Sequence, residues 1–323
     1  MAKPISDPGY GIKLGGTGRV VNADGSLNVR RKGDTFHISD MYHMFLTWSW
    51  TKFLLFTVVV YIVVNALFGT VYLLIGTDQI LNAIHGDWWV ELSDAMFFSA
   101  QTLTTVGYGN LAPGSPLVSA IASFEALAGL FIFGIFTGLS FGRFSRIKPR
   151  ITFATHAVLA PHRDGQNAFM CRLVNERSSS IMDSTASIIV VMQNPSEPTH
   201  ARRYYQLPLD IAHIATLALN WTLVHTITPE SPLYGLSLND LQTLNAEFLV
   251  TLTAFDDTVG QQFYARHSYR PHEIIEGARY VSMFETLDTG DVTLHVDRIH
   301  DTTPAPLLRD HTAPVSVPEI PTS

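Results

Sequence analysis

Two long stretches of the chain are apolar almost without interruption. Residues 53–75 (FLLFTVVVYIVVNALFGTVYLLI) carry no charge at all. About 20 apolar residues are enough to cross a bilayer as a helix. The second stretch runs from Leu117 to about Gly142 and is broken only by Glu125. Between them, WWVELSDAMFFSAQTLTT places Trp88, Trp89, Leu92, Ala95, Met96, Ser99 and Leu103 at helical spacing, in a segment too short to span. The pattern therefore predicts spanning helices at about 53–76 and 117–143, with a short helix at about 88–104. After residue 149 the period changes. SIIVVMQ, RYYQLPL, EFLVTLTAF, QFYARHSYR and DVTLHV are short, β-branched and roughly alternating, and turns such as HRDGQN and NPSEP separate them. This pattern predicts an all-β sandwich over 149–300. Residues 301–323 are rich in Pro, Thr and Asp without periodicity, which predicts a disordered tail.

Charge adds an orientation. Lys3, Lys13, Arg19, Arg30, Arg31, Lys32 and Lys52 precede the first span, and Arg143, Arg146, Lys148 and Arg150 follow the second. The connection 76–116 has no Lys or Arg but holds Asp78, Asp87, Glu91 and Asp94. Basic residues stay on the cytoplasmic side, so both termini are expected in the cytoplasm of a multi-pass protein in the plasma or inner cell membrane. The polar first 50 residues argue against a cleaved signal peptide. A net charge of −7 argues against a nucleic-acid partner. The single cysteine, Cys171, permits no intrachain disulfide or cysteine zinc cluster, and its place in FMCRLV favours core packing over nucleophilic chemistry.

The short helix leads into TTVGYGN (104–110). Non-helical backbone at membrane depth is tolerated only where protein buries it or where it lines a water-filled cavity. Two glycines around a tyrosine also suit an ordinary turn, but the flanking helices point to a pore loop. Backbone carbonyls can replace the hydration shell of K⁺ when several loops aim them at one axis. That requires alternate left-handed dihedrals, which Gly107 and Gly109 adopt without a Cβ penalty. Val106 and Tyr108 then face away from the ion, and Thr105 adds its hydroxyl at the inner end. The short helix turns its negative dipole end toward the ion path. Thr105, Val106, Gly107, Tyr108 and Gly109 together match the potassium-channel signature TVGYG, the known example of such a carbonyl filter. One chain cannot close the ring, so three identical subunits are implied as partners. K⁺ is the permeant ion, no cofactor is expected, and an enzyme is not.

No Arg-rich voltage-sensing repeat is present. The rest of the chain resembles the inward-rectifier potassium-channel family, along nearly its whole length. RVVNADGSLNV (19–29) looks like that family's N-terminal cytoplasmic strand, within an N-terminal segment 1–37. ISDMYHMFLTWSWTKF looks like its interfacial slide helix, at 38–52, with Trp48 and Trp50. ITFATHAVLAPHRDGQNAFMCRLVNER, SPLYGLSLNDL and YARHSYRPHEIIEGARY follow its cytoplasmic domain. The resemblance implies a two-span membrane pore domain at 53–148, an immunoglobulin-like cytoplasmic sandwich and a homotetramer. It also implies a prokaryotic member of the family.

The departures from the family matter as much. Where it often holds a Glu and an Arg paired behind the filter, this chain has Gln101 and Leu111. Losing both leaves no unpaired buried charge. Glu125 reads either as a replacement support behind the filter or as a carboxylate facing a water-filled space. Leu130, Phe133, Thr137 and Phe141 share a helix face and correspond to the family's pore-lining stripe. Strong rectifiers hold an Asp where this chain has Phe133, so weak rectification by Mg²⁺ or polyamines is implied. Thr137 and Phe141 fall at the family's bundle crossing, and Phe141 reads either as a dewetting gate or as packing. Gly129 and Gly138 read as bend points or as close-packing sites. TAFDDTV corresponds to a vestibule constriction with Phe255 at its neck and Asp256 and Asp257 in the ion pathway; a solvated turn is the other reading. Arg143, Arg146, Lys148 and Arg150 correspond to a site for anionic lipid that gates the channel, though positive-inside topology alone also accounts for them. Pro149, Ser178, Thr47 and Ser49 replace usually basic places.

Two other classes remain to be weighed. A nucleotide-gated pore needs a G-x-G-x-x-G turn, and none follows residue 150. A membrane-anchored β-sandwich that binds a partner leaves the TVGYG loop without a purpose.

Overall fold

A computed structural model describes residues 3–9, 19–22, 25–28, 38–145, 150–177, 181–193, 202–286, 288 and 291–308. The chain folds as two compact units, 33–146 and 1–32 with 147–323.

In the first unit, α1 (Ile38–Thr47), α2 (Trp50–Ile75), α3 (Trp88–Leu103) and α4 (Pro116–Phe144) are joined by a two-stranded clasp, β1 (Ile80–Leu81) with β2 (Ala112–Pro113). α2 and α4 are long and apolar enough to cross a membrane. Residues 50–52 belong to α2, not to the interfacial helix expected at 38–52. The Ser49 hydroxyl accepts from the Lys52 amide at 3.4 Å and starts the new helix there. Ser115 caps α4 in the same way, with Pro116 in its first turn. Tyr72, Ile80, Ala95, Phe98, Leu111, Val118 and Ala122 form the buried cluster that joins α2, α3 and α4. Two glycines allow closer approach. A Cβ on Gly69 would lie 2.6 Å from Met96 Sδ, and one on Gly129 would lie 2.0 Å from the Leu103 carbonyl oxygen.

The second unit is the β-sandwich. Its strands are β3 (Ile151–Phe153), β4 (Ala157–Pro161), β5 (Asn167–Asn175), β6 (Ile181–Gln193), β7 (Arg202–Leu207), β8 (His213–Thr216), β9 (Asn220–Thr226), β10 (Glu247–Asp256), β11 (Gln261–Tyr269), β12 (Ile274–Glu276), β13 (Ala278–Tyr280), β14 (Phe284–Thr286), β15 (Val292–Leu294) and β16 (Thr302–Pro304). One sheet runs β11-β10-β6-β7 with β8 also on β6, and the other runs β12-β4-β5-β3 with β9 also on β5. In these two sheets only β12 and β4 pair in parallel. Phe169 of β5 stacks on Phe248 of β10 with centroids 4.4 Å apart, at the centre of the sandwich core. All nine residues of β5 are buried because its outer face is also covered, with Met170 and Val174 in a second cluster with Tyr280, Met283 and Ile299. Cys171 lies inside the core, where burial pushes its thiol up.

The N-terminal segment joins this unit. Both carboxylate oxygens of buried Glu247 accept from the Val20 amide, and one also accepts from Val21. Arg19 grips Glu273 with two nitrogens, at 2.9 and 2.6 Å. Residues 301–308 do not form the disordered tail expected from 301 onward. β16 pairs with β13, the Ala305 amide donates to the Gly277 carbonyl, and Leu308 is held by Asn167. Backbone pairing, to which Pro-, Thr- and Asp-rich composition is blind, orders this stretch; 309–323 lie outside the described residues.

Candidate functional site

The loop after α3 has left-handed backbone at alternate positions, with φ of 59° at Thr105, 51° at Gly107 and 83° at Gly109. The amides of Val106 and Gly107 both turn back to the Gln101 carbonyl, at 3.0 and 3.4 Å. In a trans peptide the C=O points opposite to the N–H. The carbonyls of Thr105 and Val106 therefore face away from α3, toward the open side of the loop. Thr105 is the unforeseen member, since a β-branched residue in left-handed backbone costs about 1–3 kcal/mol. Its amide is held by the Thr102 carbonyl at 3.0 Å. Val106 and Tyr108 are exposed in the protomer.

Behind the loop, the Gln101 and Leu111 side chains form no polar pair. Leu111 is buried in the helix cluster, and among the described residues Gln101 Oε1 has no hydrogen-bond partner. An open cleft of ≈ 440 Å³ lies beside them, lined by Gln101, Gly107, Gly109, Leu111 and Ser123 among others. Glu125 is fully buried. Its Oε1 accepts from Ser99 Oγ at 2.5 Å and its Oε2 from the Tyr72 hydroxyl at 2.6 Å. Ser99 also lies 3.2 Å from Asn65 Oδ1, so one polar cluster joins α2, α3 and α4. Sequence reasoning missed Asn65, Tyr72 and Ser99. The available signal was the seven-residue spacing of Asn65 and Tyr72, which sets two polar groups on one face of an apolar helix.

The loop's exit is clasped from the other side. Asn82, with φ 65°, donates Nδ2 to the Asn110 carbonyl at 2.8 Å. The Gly114 amide donates to the Gln79 carbonyl at 2.7 Å, and Ser115 Oγ to Gln79 Oε1 at 2.8 Å.

On α4, Leu130, Phe133, Thr137 and Phe141 are all exposed in the protomer, whereas Val118, Ala122, Glu125, Gly129 and Leu139 are buried. A Cβ at Gly138 would meet nothing within 4 Å, so of these two glycines Gly129 is the close-packing site within the protomer. Arg143 turns inward. Its guanidinium donates to the Phe45 carbonyl and, at 2.6 Å, to the Trp48 carbonyl, and it lies 4.7 Å from the centroids of both Trp50 and Phe53. Arg150 is exposed, and Arg146 and Lys148 lie outside the described residues. In the other unit, Phe255, near the end of β10, and Asp257, in the turn to β11, are exposed. Asp256 is buried, and its Oδ1 accepts from the Thr258 amide at 3.0 Å.

Comparison with known proteins supplies the context for this arrangement. Residues 60–146 match the family described as Ion channel, and residues 151–313 match Inward rectifier potassium channel C-terminal domain. Over 286 residues the chain is 35% identical to Inward rectifier potassium channel Kirbac3.1 of Paramagnetospirillum magnetotacticum, covering 88% of this chain and 95% of that protein. It is 25% identical over 316 residues to Inward rectifier potassium channel irk-1 of Caenorhabditis elegans, with 88% of this chain and 57% of that one covered. It is 27% identical over 269 residues to ATP-sensitive inward rectifier potassium channel 12 of Gallus gallus, with shares of 76% and 61%. The chain thus spans less than two thirds of either animal relative.

Proposed function

Since this chain belongs to the inward rectifier potassium channel family, we propose that four copies conduct K⁺ passively through a shared pore, with both termini in the cytoplasm. The observation that carries the reading is the alternation of left-handed backbone at Thr105, Gly107 and Gly109, with two amides drawn back to Gln101. Around a fourfold axis, the carbonyls of Thr105, Val106, Gly107 and Tyr108 become stacked rings that replace water on the ion. Glu125 braces the loop through Ser99, one turn before Leu103 on the same helix.

Below the filter, Leu130, Phe133, Thr137 and Phe141 line the pore, and Phe141 closes it by dewetting. With Phe133 in place of a carboxylate, Mg²⁺ and polyamines bind weakly within the membrane and rectification is shallow. Phe255 narrows the vestibule, with Asp257 at its surface and Asp256 fixing the turn. Anionic lipid headgroups bind Arg146, Lys148 and Arg150, while Arg143 ties the end of α4 to α1.

Tracer Rb⁺ uptake into proteoliposomes, blocked by Ba²⁺ and not carried by Na⁺, is the test. A folded tetramer giving no flux in vesicles with or without anionic lipid would favour a membrane-anchored binding protein instead. In the same assay system, Phe133→Asp is expected to deepen block by spermine applied from the side of the termini.

A further inference from the structure

We propose that Asn82 is a positioning residue for the exit end of the filter, fixing the plane of the Asn110–Leu111 peptide, the next one after the peptide that follows Gly109. The inference rests on the filter reading above and adds to it the element that holds the loop's outer lip. Three observations converge on it.

The entry end of the loop is fixed by α3, through the Thr102 and Gln101 carbonyls. The exit end has no equivalent support from behind, because Gln101 Oε1 finds no partner among the described residues and Leu111 offers none. Its polar restraint comes from the 76–87 connection instead. Asn82 donates to the Asn110 carbonyl, β1 pairs with β2, and Gln79 holds both Gly114 and Ser115. Asn110 O is the anchor nearest the filter, one residue beyond Gly109.

The backbone at residue 82 explains why asparagine stands there. At φ 65° the chain is left-handed, a conformation that Gly and Asn enter with least cost. Glycine meets the backbone demand alone. Asparagine meets it and also supplies an N–H donor, which reaches a carbonyl 28 residues away. Aspartate has nearly the same shape but offers the carbonyl only an acceptor. The residue is thus tested by two substitutions that keep the backbone and delete the donor, Asn82→Gly and Asn82→Asp.

Both variants are expected to assemble and to pass Rb⁺, with the K⁺/Na⁺ permeability ratio lowered about two- to tenfold, the range of one amide–carbonyl hydrogen bond. Asn82→Asp should be the worse. An unchanged ratio in both variants would overturn the inference while leaving the filter reading intact. Loss of the tetramer in Asn82→Gly would overturn it too, since the residue would then hold the fold and not the filter. Absence of Rb⁺ flux in the unsubstituted protein would strike the filter reading itself. The ratio and the assembly state are read separately, so a purely structural role for Asn82 is distinguishable.

Discussion

The Tyr72 hydroxyl donates to Glu125 Oε2 across 2.6 Å, linking two apolar helices at a point where neither side chain meets solvent. Ser99 supplies the other carboxyl oxygen with its partner from the helix between them. Removing the acceptor strands the buried Tyr72 hydroxyl, at about 1–3 kcal/mol, and leaves Ser99 only its longer contacts to Asn65, whereas removing one hydroxyl costs about 1 kcal/mol. Glu125→Ala should therefore lower the thermal stability of the detergent-solubilised protein well below that of Tyr72→Phe, with Glu125→Gln between the wild type and Glu125→Ala. Equal melting of Glu125→Ala and wild type would remove the cluster from the account of stability.

Gly129 and Gly138 should respond oppositely to the same methyl group. At Gly129 the new Cβ would lie 2.0 Å from a backbone oxygen, which cannot swing aside as a side chain can. At Gly138 it meets nothing in the protomer, and alanine improves helix propensity by about 1 kcal/mol. Gly129→Ala should impair both folding yield and Rb⁺ flux, while Gly138→Ala should leave yield intact. Matched yields for the two variants would contradict the contact with Leu103.

Arg143 bonds two carbonyls through a planar fork and lies over two aromatic rings, a geometry lysine cannot reproduce. Arg143→Lys is expected to destabilise the helical unit by about 1–2 kcal/mol and to leave binding to anionic vesicles unchanged. Arg150→Gln should do the reverse, weakening vesicle binding by about 1 kcal/mol in a salt-sensitive way. Vesicle co-sedimentation and thermal unfolding, run on both variants, separate the two roles.

The Arg19–Glu273 pair gives the β-sandwich unit an acid-sensitive contribution. Burial raises the Glu273 carboxyl, but hydrogen bonds from the Arg19 guanidinium and the Arg270 amide, with the charges of Arg19 and His272, bring it below the usual carboxylate range. A depressed folded value means that the pair stabilises above the unfolded Glu value of about 4.3 and is lost as pH falls through the folded value. The stability difference between wild type and Arg19→Ala, measured by calorimetry on the full chain, should be largest near neutral pH and shrink progressively as pH falls below the unfolded Glu value of about 4.3. A difference that does not change with pH would assign the effect of Arg19 to packing.

The two spans and the sandwich class were legible because each rests on a period or run that local sequence carries. The glycines of the loop were legible for a similar reason, since their chemistry is a backbone one. What escaped was decided by partners distant in sequence. Thr302–Pro304 looks featureless alone and becomes a strand only because Ala278–Tyr280 offers an edge. Arg143 belongs to a basic cluster in sequence, yet its carbonyl partners lie 98 and 95 residues away. Asn82 sits in a stretch that reads as a polar connection, and its significance depends on Asn110. Glu125 was visible as a charge in an apolar run, but its two donors were not, because they come from two other helices.

The left-handed Thr105, held by α3 of its own chain, bears on how copies come together. A loop that took its shape only on contact with its neighbours would add an ordering cost to every association step. Here the strained residue and the two amides after it are already tied to the Thr102 and Gln101 carbonyls within one protomer. Under the proposed fourfold assembly, subunits meet with the entry half of the loop already shaped by their own α3.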